Sequence, residues 1–248
     1  NNKTCKIKMI RLALMLAGIG ITPASYAVDL VAIEGQWLPD GETTAIPMWG
    51  FADDTGQACA SLPTWDVGPQ LTDADLVAGE LTINLRNCLS EAVSIIIPGQ
   101  PASFTPVRTP DGRVKAFTAE APAGGSAIYN WSGVKAGSYL YQSGSHPAKQ
   151  VQMGLYGALT VGSYPGTSGD VTLLYREIDP LLHRPPAAPT PLGSHPSHYL
   201  GNASDAPPVL SAAAASQPTA LRLLPGGIAS PVTPLTGRPM HLVAAAGD

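Results

Sequence analysis

The chain has 248 residues, a formal net charge of −4 and only 13% charged side chains. Its first 27 residues hold four basic and no acidic groups, so the remainder carries 10 basic against 18 acidic side chains, a net −8. Such a surface repels nucleic acid, whose binding rests on basic contacts to phosphate.

In chain order, residues 1–27 read as a signal peptide. Lys3, Lys6, Lys8 and Arg11 precede the short apolar run Leu12–Ile21, and Ser25 and Ala27 supply the small residues of a cleavage site after Ala27. The apolar run is too short to span a bilayer, and no later segment predicts a membrane span. The compartment implied is periplasmic or secreted. Cys5 would leave with the signal, so Cys59 and Cys88 remain as a disulfide candidate. An oxidising compartment favours the bridge, and closing a loop of about 30 residues would stabilise by roughly 3–4 kcal/mol. The other reading is that one or both are buried free thiols.

Residues 28–175 read as one domain of short strands separated by Gly, Pro and Asp. Leu81, Ile83 and Leu85 alternate with Thr82, Asn84 and Arg86, a half-buried strand. Val93–Ile97 is a largely β-branched run stopped by Pro98-Gly99, which predicts a strand buried on both faces. Arg113–Thr118, Ser126–Trp131, Ser138–Gln142 and Val151–Val161 continue the series. Long amphipathic helical patterns are missing, so the fold class predicted is all-β, an antiparallel sandwich with Greek-key connections. Residues 176–198 are proline-rich and read as a stiff linker or surface loop. Residues 199–248 read as a partial second β domain, with strands at Thr219–Leu224 and Met240–Ala244.

Gly137–Val161 is the most informative stretch. Tyr139 and Tyr141 lead to Gly144, Ser145 and His146, then Gln150, Gly154-Leu155-Tyr156-Gly157 and the apolar Ala158–Val161. This order resembles a copper-binding segment of multicopper oxidases, where a strand ending in Tyr and His-x-His leads to Gln, Gly-Leu-x-Gly and an apolar strand. Gly68-Pro69-Gln70-Leu71, the strand Glu80–Arg86, His198–Asn202 and Leu221–Gly227 resemble further elements of the same family, in the same order. The resemblance implies a cupredoxin-like (plastocyanin-like) sandwich followed by part of a second, copper as cofactor, and oxidoreductase activity. It also implies further cupredoxin domains downstream in the same protein as partners.

The resemblance also implies four histidines in this first domain, as two His-x-His pairs of a trinuclear copper cluster. Copper takes imidazole and thiolate ligands. Where the first pair is expected the chain reads Ile97-Pro98-Gly99, and at the second it reads Gly144 and His146. His146 is therefore the candidate metal ligand, with Met153 as a conceivable second. The plainer reading is a turn histidine hydrogen-bonded to a backbone carbonyl, and no catalytic residue is assigned. The expectation is a protein not competent for oxidation by itself, against the alternative of a non-catalytic interaction or structural module without copper.

Other patterns are weaker. His195-Pro-Ser-His198, with His183 upstream, is a chelating sequence interrupted by proline, and His241 stands alone. Ser143 and Ser145 beside His146 suggest hydroxyl–imidazole chemistry without a nucleophile elbow. Gly124-Gly125-Ser126 lacks the lysine of a phosphate loop. Asp53-Asp54 and Asp73-x-Asp75 read as solvated turn residues, and Trp131, Tyr139, Tyr141 and Tyr156 as core aromatics.

Overall fold

The computed structural model describes residues 26–62, 67–102, 104–167, 169–183, 197–201 and 219–226. All but the end of the expected signal, and the expected strand Met240–Ala244, lie outside the described residues. The elements in chain order are β1 (Val28–Trp37), β2 (Ile46–Asp53), β3 (Gly68–Leu71), β4 (Leu81–Asn87), β5 (Val107–Arg108), β6 (Val114–Ala116), β7 (Ser126–Trp131) and β8 (Gly137–Gln142). A single α-helix among the described residues, α1 (Pro147–Met153), precedes β9 (Tyr156–Val161), β10 (Gly169–Ile178), β11 (His198–Gly201) and β12 (Thr219–Gly226).

Two sheets make the sandwich. One has the order β2-β1-β4-β7 and the other β3-β9-β8. β1 pairs antiparallel with β2 but parallel with β4, Val28 opposite Ile83, and β3 runs parallel to β9. Parallel neighbours cannot be joined by a tight hairpin, so the chain crosses between sheets, as a Greek key requires. β2 tolerates Pro47 because it is an edge strand, where a missing N–H costs no ladder bond. The strict alternation along β4 buries Leu81, Ile83 and Leu85 against Leu30, Phe51, Tyr129, Trp131, Tyr141 and Leu159 in one apolar core. The fold is thus all-β and sandwich-like, in keeping with a cupredoxin.

A third sheet, β11-β10-β12, lies on the outer side of β9. Tyr156 and Ala158 pack on Leu174 and Leu224, while Ile46 and Met48 pack on Ile178 and Leu200. Every residue of β9 is therefore buried, which is why this strand reads as a continuous apolar run. β10 crosses residue 175, with Arg176 opposite both Leu200 and Gly226.

The sequence expectation for Val151–Val161 differs from the structure. Val151–Met153 close α1, and the strand starts at Tyr156. Pro147 at the helix start and Gly154 just past its end, at φ 121°, are the boundary signals that the apolar run obscured. Likewise Val93–Ile97 is not a continuous strand. It is held by isolated bridges, Val93 to Ala121 and Ile96 to Gln142. Cys59 and Cys88 are joined as a disulfide, with Cα atoms 5.7 Å apart.

Candidate functional site

The two segments expected to carry ligands run side by side. Ile96 and Gln142 exchange backbone hydrogen bonds at 2.8 and 2.9 Å, and Gly144 N–H reaches Ser94 O at 3.4 Å. Gln150 fastens the arrangement. Its Nε2 donates to Ala92 O at 2.9 Å, and its Oε1 accepts from Ser143 Oγ at 2.6 Å. Ser143 Oγ also accepts from Ser145 N–H at 3.0 Å. Gln150, Ser143 and Ser145 are fully buried, so these bonds replace water that the side chains have lost.

The side chains that meet across this frame are not metal ligands. A Cβ on Gly144 would stand 2.8 Å from Ile96 Cγ2 and 3.0 Å from Ser94 Oγ. Ser94 Oγ and Ser145 Oγ are hydrogen-bonded at 3.0 Å, both buried. The residues facing position 144 are thus Ser94 and Ile96, one place from the expected Ile97. Ile97 points into the main core, and Gly99 lies against the Tyr139 ring, 3.2 Å from a would-be Cβ. The period of two along an extended segment accounts for the offset, because neighbouring side chains take opposite faces.

His146 sits just before α1 with a left-handed backbone, φ 44°. Its carbonyl accepts from the Lys149 and Gln150 N–H groups, while its ring is exposed and makes no hydrogen bond to another described residue. The expected ring-to-carbonyl bond of a turn histidine is therefore not formed with any described residue. The ring borders an open depression of about 610 Å³ with Glu91, Lys115, Phe117, Pro147 and Lys149. Its charges are already paired, Lys149 with Glu91 and Lys115 with Glu120 at 2.9 Å. Burial alone would raise the Glu120 carboxyl. Hydrogen bonds from Lys115 and Ser145, and the Lys115 and His146 charges, hold it below its usual value. Met153 is buried in the main core at the far end of α1, so it is not a partner for the His146 ring.

Among the described residues, no group of three or more His, Cys, Asp or Glu side chains is placed to hold a metal ion. A trinuclear copper centre needs several convergent imidazoles. Ser94, Ile96 and Gly144 with His146 alone do not fit one.

The remaining candidates resolve into structural roles. Asp54 pairs with Arg86, Asp75 caps the turn at Thr72, and Asp73 accepts Gly162 N–H. Tyr141 is buried with its hydroxyl on Pro69 O at 2.6 Å, and burial holds that hydroxyl well above its ordinary pKa. The close approach of Gly157 leaves room for the Tyr141 ring, which a Cβ there would overlap. Ser143 and Ser145 are occupied by the Gln150 network, so no hydroxyl–imidazole pair with His146 forms. His198 meets Trp37 edge to face, with ring centres 5.3 Å apart. His195 and His241 lie outside the described residues.

Sequence reasoning missed a buried polar seam between the sandwich and the β10–β12 sheet. Arg176 on β10 is buried, donates to Gln152 O at 3.1 Å and lies 5.5 Å over the Tyr156 ring. Its pKa is lowered by that burial, and burial pushes the Tyr156 hydroxyl up to about 12. His183 Nδ1 lies 2.8 Å from Pro47 O, so Nδ1 carries the proton, since a carbonyl only accepts. Burial brings the His183 pKa down to about 4; the Pro47 bond opposes this, nearby Arg176 adds to it, and Asp179 opposes it. Arg176 lies in a stretch read as linker, and only tertiary contacts make it a core residue.

Comparisons with known proteins agree with the sandwich fold. Residues 75–165, less than half of the chain, match the sequence profile of the family described as multicopper oxidase. A blue copper oxidase from Nitrosomonas europaea is 19% identical at a TM-score of 0.59, over 80% of this chain and 60% of that one. A copper nitrite reductase from Nitrosomonas europaea is 16% identical at 0.56, over 81% and 67%. A multi-copper oxidase from Pseudomonas thermotolerans is 19% identical at 0.53, over 80% and 46%.

The chain resembles the multicopper-oxidase and cupredoxin superfamily. At these identities the shared property is the fold, and the chain spans less than two thirds of the length of either oxidase. No curated protein sequence matches it. Among the described residues, no helix is long and apolar enough to cross a membrane.

Proposed function

We propose that this chain is the N-terminal portion of an exported, periplasmic or secreted protein of multicopper-oxidase type. Its first cupredoxin-like sandwich keeps the packing frame of the family without the copper ligands, so it does not reduce oxygen by itself. The observation that carries this reading is the meeting of Gly144 with Ile96 and Ser94, in the frame held by Gln150. Catalysis would then depend on cupredoxin domains downstream, which would supply the ligands of a separate copper.

The second reading is a non-catalytic module that serves in interaction or support. It is favoured by the same contact, because the space that an imidazole at 144 would need is filled by Ile96. The gene's downstream sequence separates the two readings. A His-Cys-His motif there supports the oxidase, and its absence supports the module. Copper titration tests the role of His146. A single exposed imidazole with no second ligand should bind copper weakly, and His146→Ala should leave the stoichiometry of tight binding unchanged. Loss of a tight equivalent in that variant would make His146 a true ligand and overturn the proposed loss of the site.

A further inference from the structure

The Cys59–Cys88 disulfide has surroundings that differ from those of a shielded structural bridge. Cys59 is exposed on the short turn Cys59–Ser61, and Cys88 is half-buried just past β4. Arg86, two residues before Cys88, divides its guanidinium between two tasks. Nε and Nη2 hold the Asp54 carboxylate at 2.7 and 2.5 Å, and Nη2 also reaches Gln57 O at 3.0 Å. Nη1 lies 3.5 Å from Cys59 Sγ and 3.4 Å from Cys88 Sγ. The bond to Arg86 holds the Asp54 carboxyl below its usual range, so Asp54 stays ionised and keeps the guanidinium in place.

A cation beside a sulfur stabilises its thiolate, and in disulfide exchange a better-stabilised thiolate leaves faster. Of the two cysteines Cys59 is the exposed residue, and its side gives an attacking thiol the shorter path. We propose that Cys59–Cys88 is a thiol–disulfide exchange site whose substrate is a dithiol, with Arg86 as the positioning residue that stabilises the leaving Cys88 thiolate.

In the forward step a thiolate of the dithiol attacks Cys59 Sγ. The S–S bond breaks, its electron pair passes to Cys88 Sγ beside Nη1, and a mixed disulfide forms at Cys59. The second thiol of the dithiol loses its proton and attacks its own sulfur in that mixed disulfide, which releases Cys59 as a thiolate. Two electrons have moved from the dithiol, now a disulfide, to the cysteine pair, and the two protons go to the new thiols or to solvent. The Arg86 contacts to Asp54 and Gln57 O do not depend on the S–S bond. They hold the turn near Cys88 in the reduced chain, so the bond can close again under oxidant.

The test is the time course of reduction of the folded, full chain by dithiothreitol. Thiols are trapped by alkylation and mapped by peptide, which separates Cys59 and Cys88 from Cys5. Wild type should be reduced at a rate proportional to dithiothreitol concentration. Arg86→Gln should slow it about tenfold, Arg86→Lys should restore most of the rate, and Cys88 in reduced Arg86→Gln should alkylate only at higher pH. Simple destabilisation by Arg86→Gln would speed reduction, the opposite sign. A rate in Arg86→Gln equal to or above wild type overturns the proposal. So does a wild-type rate independent of dithiothreitol, since reduction would then need global unfolding.

Discussion

Two regions where separate segments meet have opposite characters. On the ligand face, Ser94 and Ile96 meet Gly144 and Ser145, and the buried side chains of Ser143, Ser145, Gln150 and Ser94 bond to one another or to backbone, while Glu120 Oε1 nearby has no hydrogen-bond partner among the described residues. At the seam, Arg176 and His183 are buried, and Gln152 Oε1, Tyr156 Oη and His183 Nε2 have no hydrogen-bond partner among the described residues. The region where family resemblance predicts copper ligands is packed with serine, glutamine and isoleucine side chains. The seam, where Arg176 lies over the motif residue Tyr156 and near His183, holds side chains whose pKa burial shifts. Strand pairing and a buried glutamine hold this frame independently of any metal.

The comparison is broken most severely at Gly154. Its φ of 121° and the Trp49 carbonyl and Arg176 guanidinium packed against it leave no place for a methyl group. Gly154→Ala should lower unfolding stability by roughly 3–5 kcal/mol in denaturant titration, from backbone strain and overpacking together. A loss below about 1 kcal/mol would mean that the seam yields easily and is not tightly built.

Acid should act on the seam rather than on the ligand face. His183 is held neutral, with a folded pKa of about 4 against an ordinary value of 6.5. The unfolded chain then binds the proton first, so the stability contributed by neutral His183 is complete above about 6.5 and falls as pH drops toward 4. The expected loss across that window is roughly 3 kcal/mol, and it should largely vanish in His183→Gln. Denaturant titrations at several pH values check this. An unchanged slope in His183→Gln would assign the acid sensitivity elsewhere.

The ligand face responds to its glutamine. Gln150→Ala removes the side-chain donor to Ala92 O and one of the partners of Ser143 Oγ, in a buried site, and should cost about 2 kcal/mol. The loss should be independent of added copper. A copper-dependent difference between this variant and wild type would show that the frame still serves a metal.

Legibility in the sequence followed the range of the forces involved. β4 and β7 were readable nearly to the residue, because alternation along a strand between two sheets is a local pattern. Val151–Met153 were misread, since an apolar helix end running into an apolar strand has no change of composition at the joint. The missing ligand at Gly144 is legible in the sequence, which reads the first pair at Ile97-Pro98-Gly99; that Ile96 and Ser94 face Gly144 is not, because pairing register is set between segments. The roles of Arg176 and His183 were illegible. Both belong to the proline-rich end of the described chain, and their burial is decided by how a distant sheet lands on β2 and β9. Cysteine spacing left bridge and free thiols equally open, as only three-dimensional proximity decides between them.

The most direct test is copper stoichiometry combined with oxygen consumption on the purified 248-residue chain, loaded with copper and then freed of loosely held metal. The account expects fewer than three tightly held coppers per chain and no oxygen uptake with a phenolic or metal-ion reductant. Three retained coppers per chain, with copper-dependent reduction of oxygen, would contradict it.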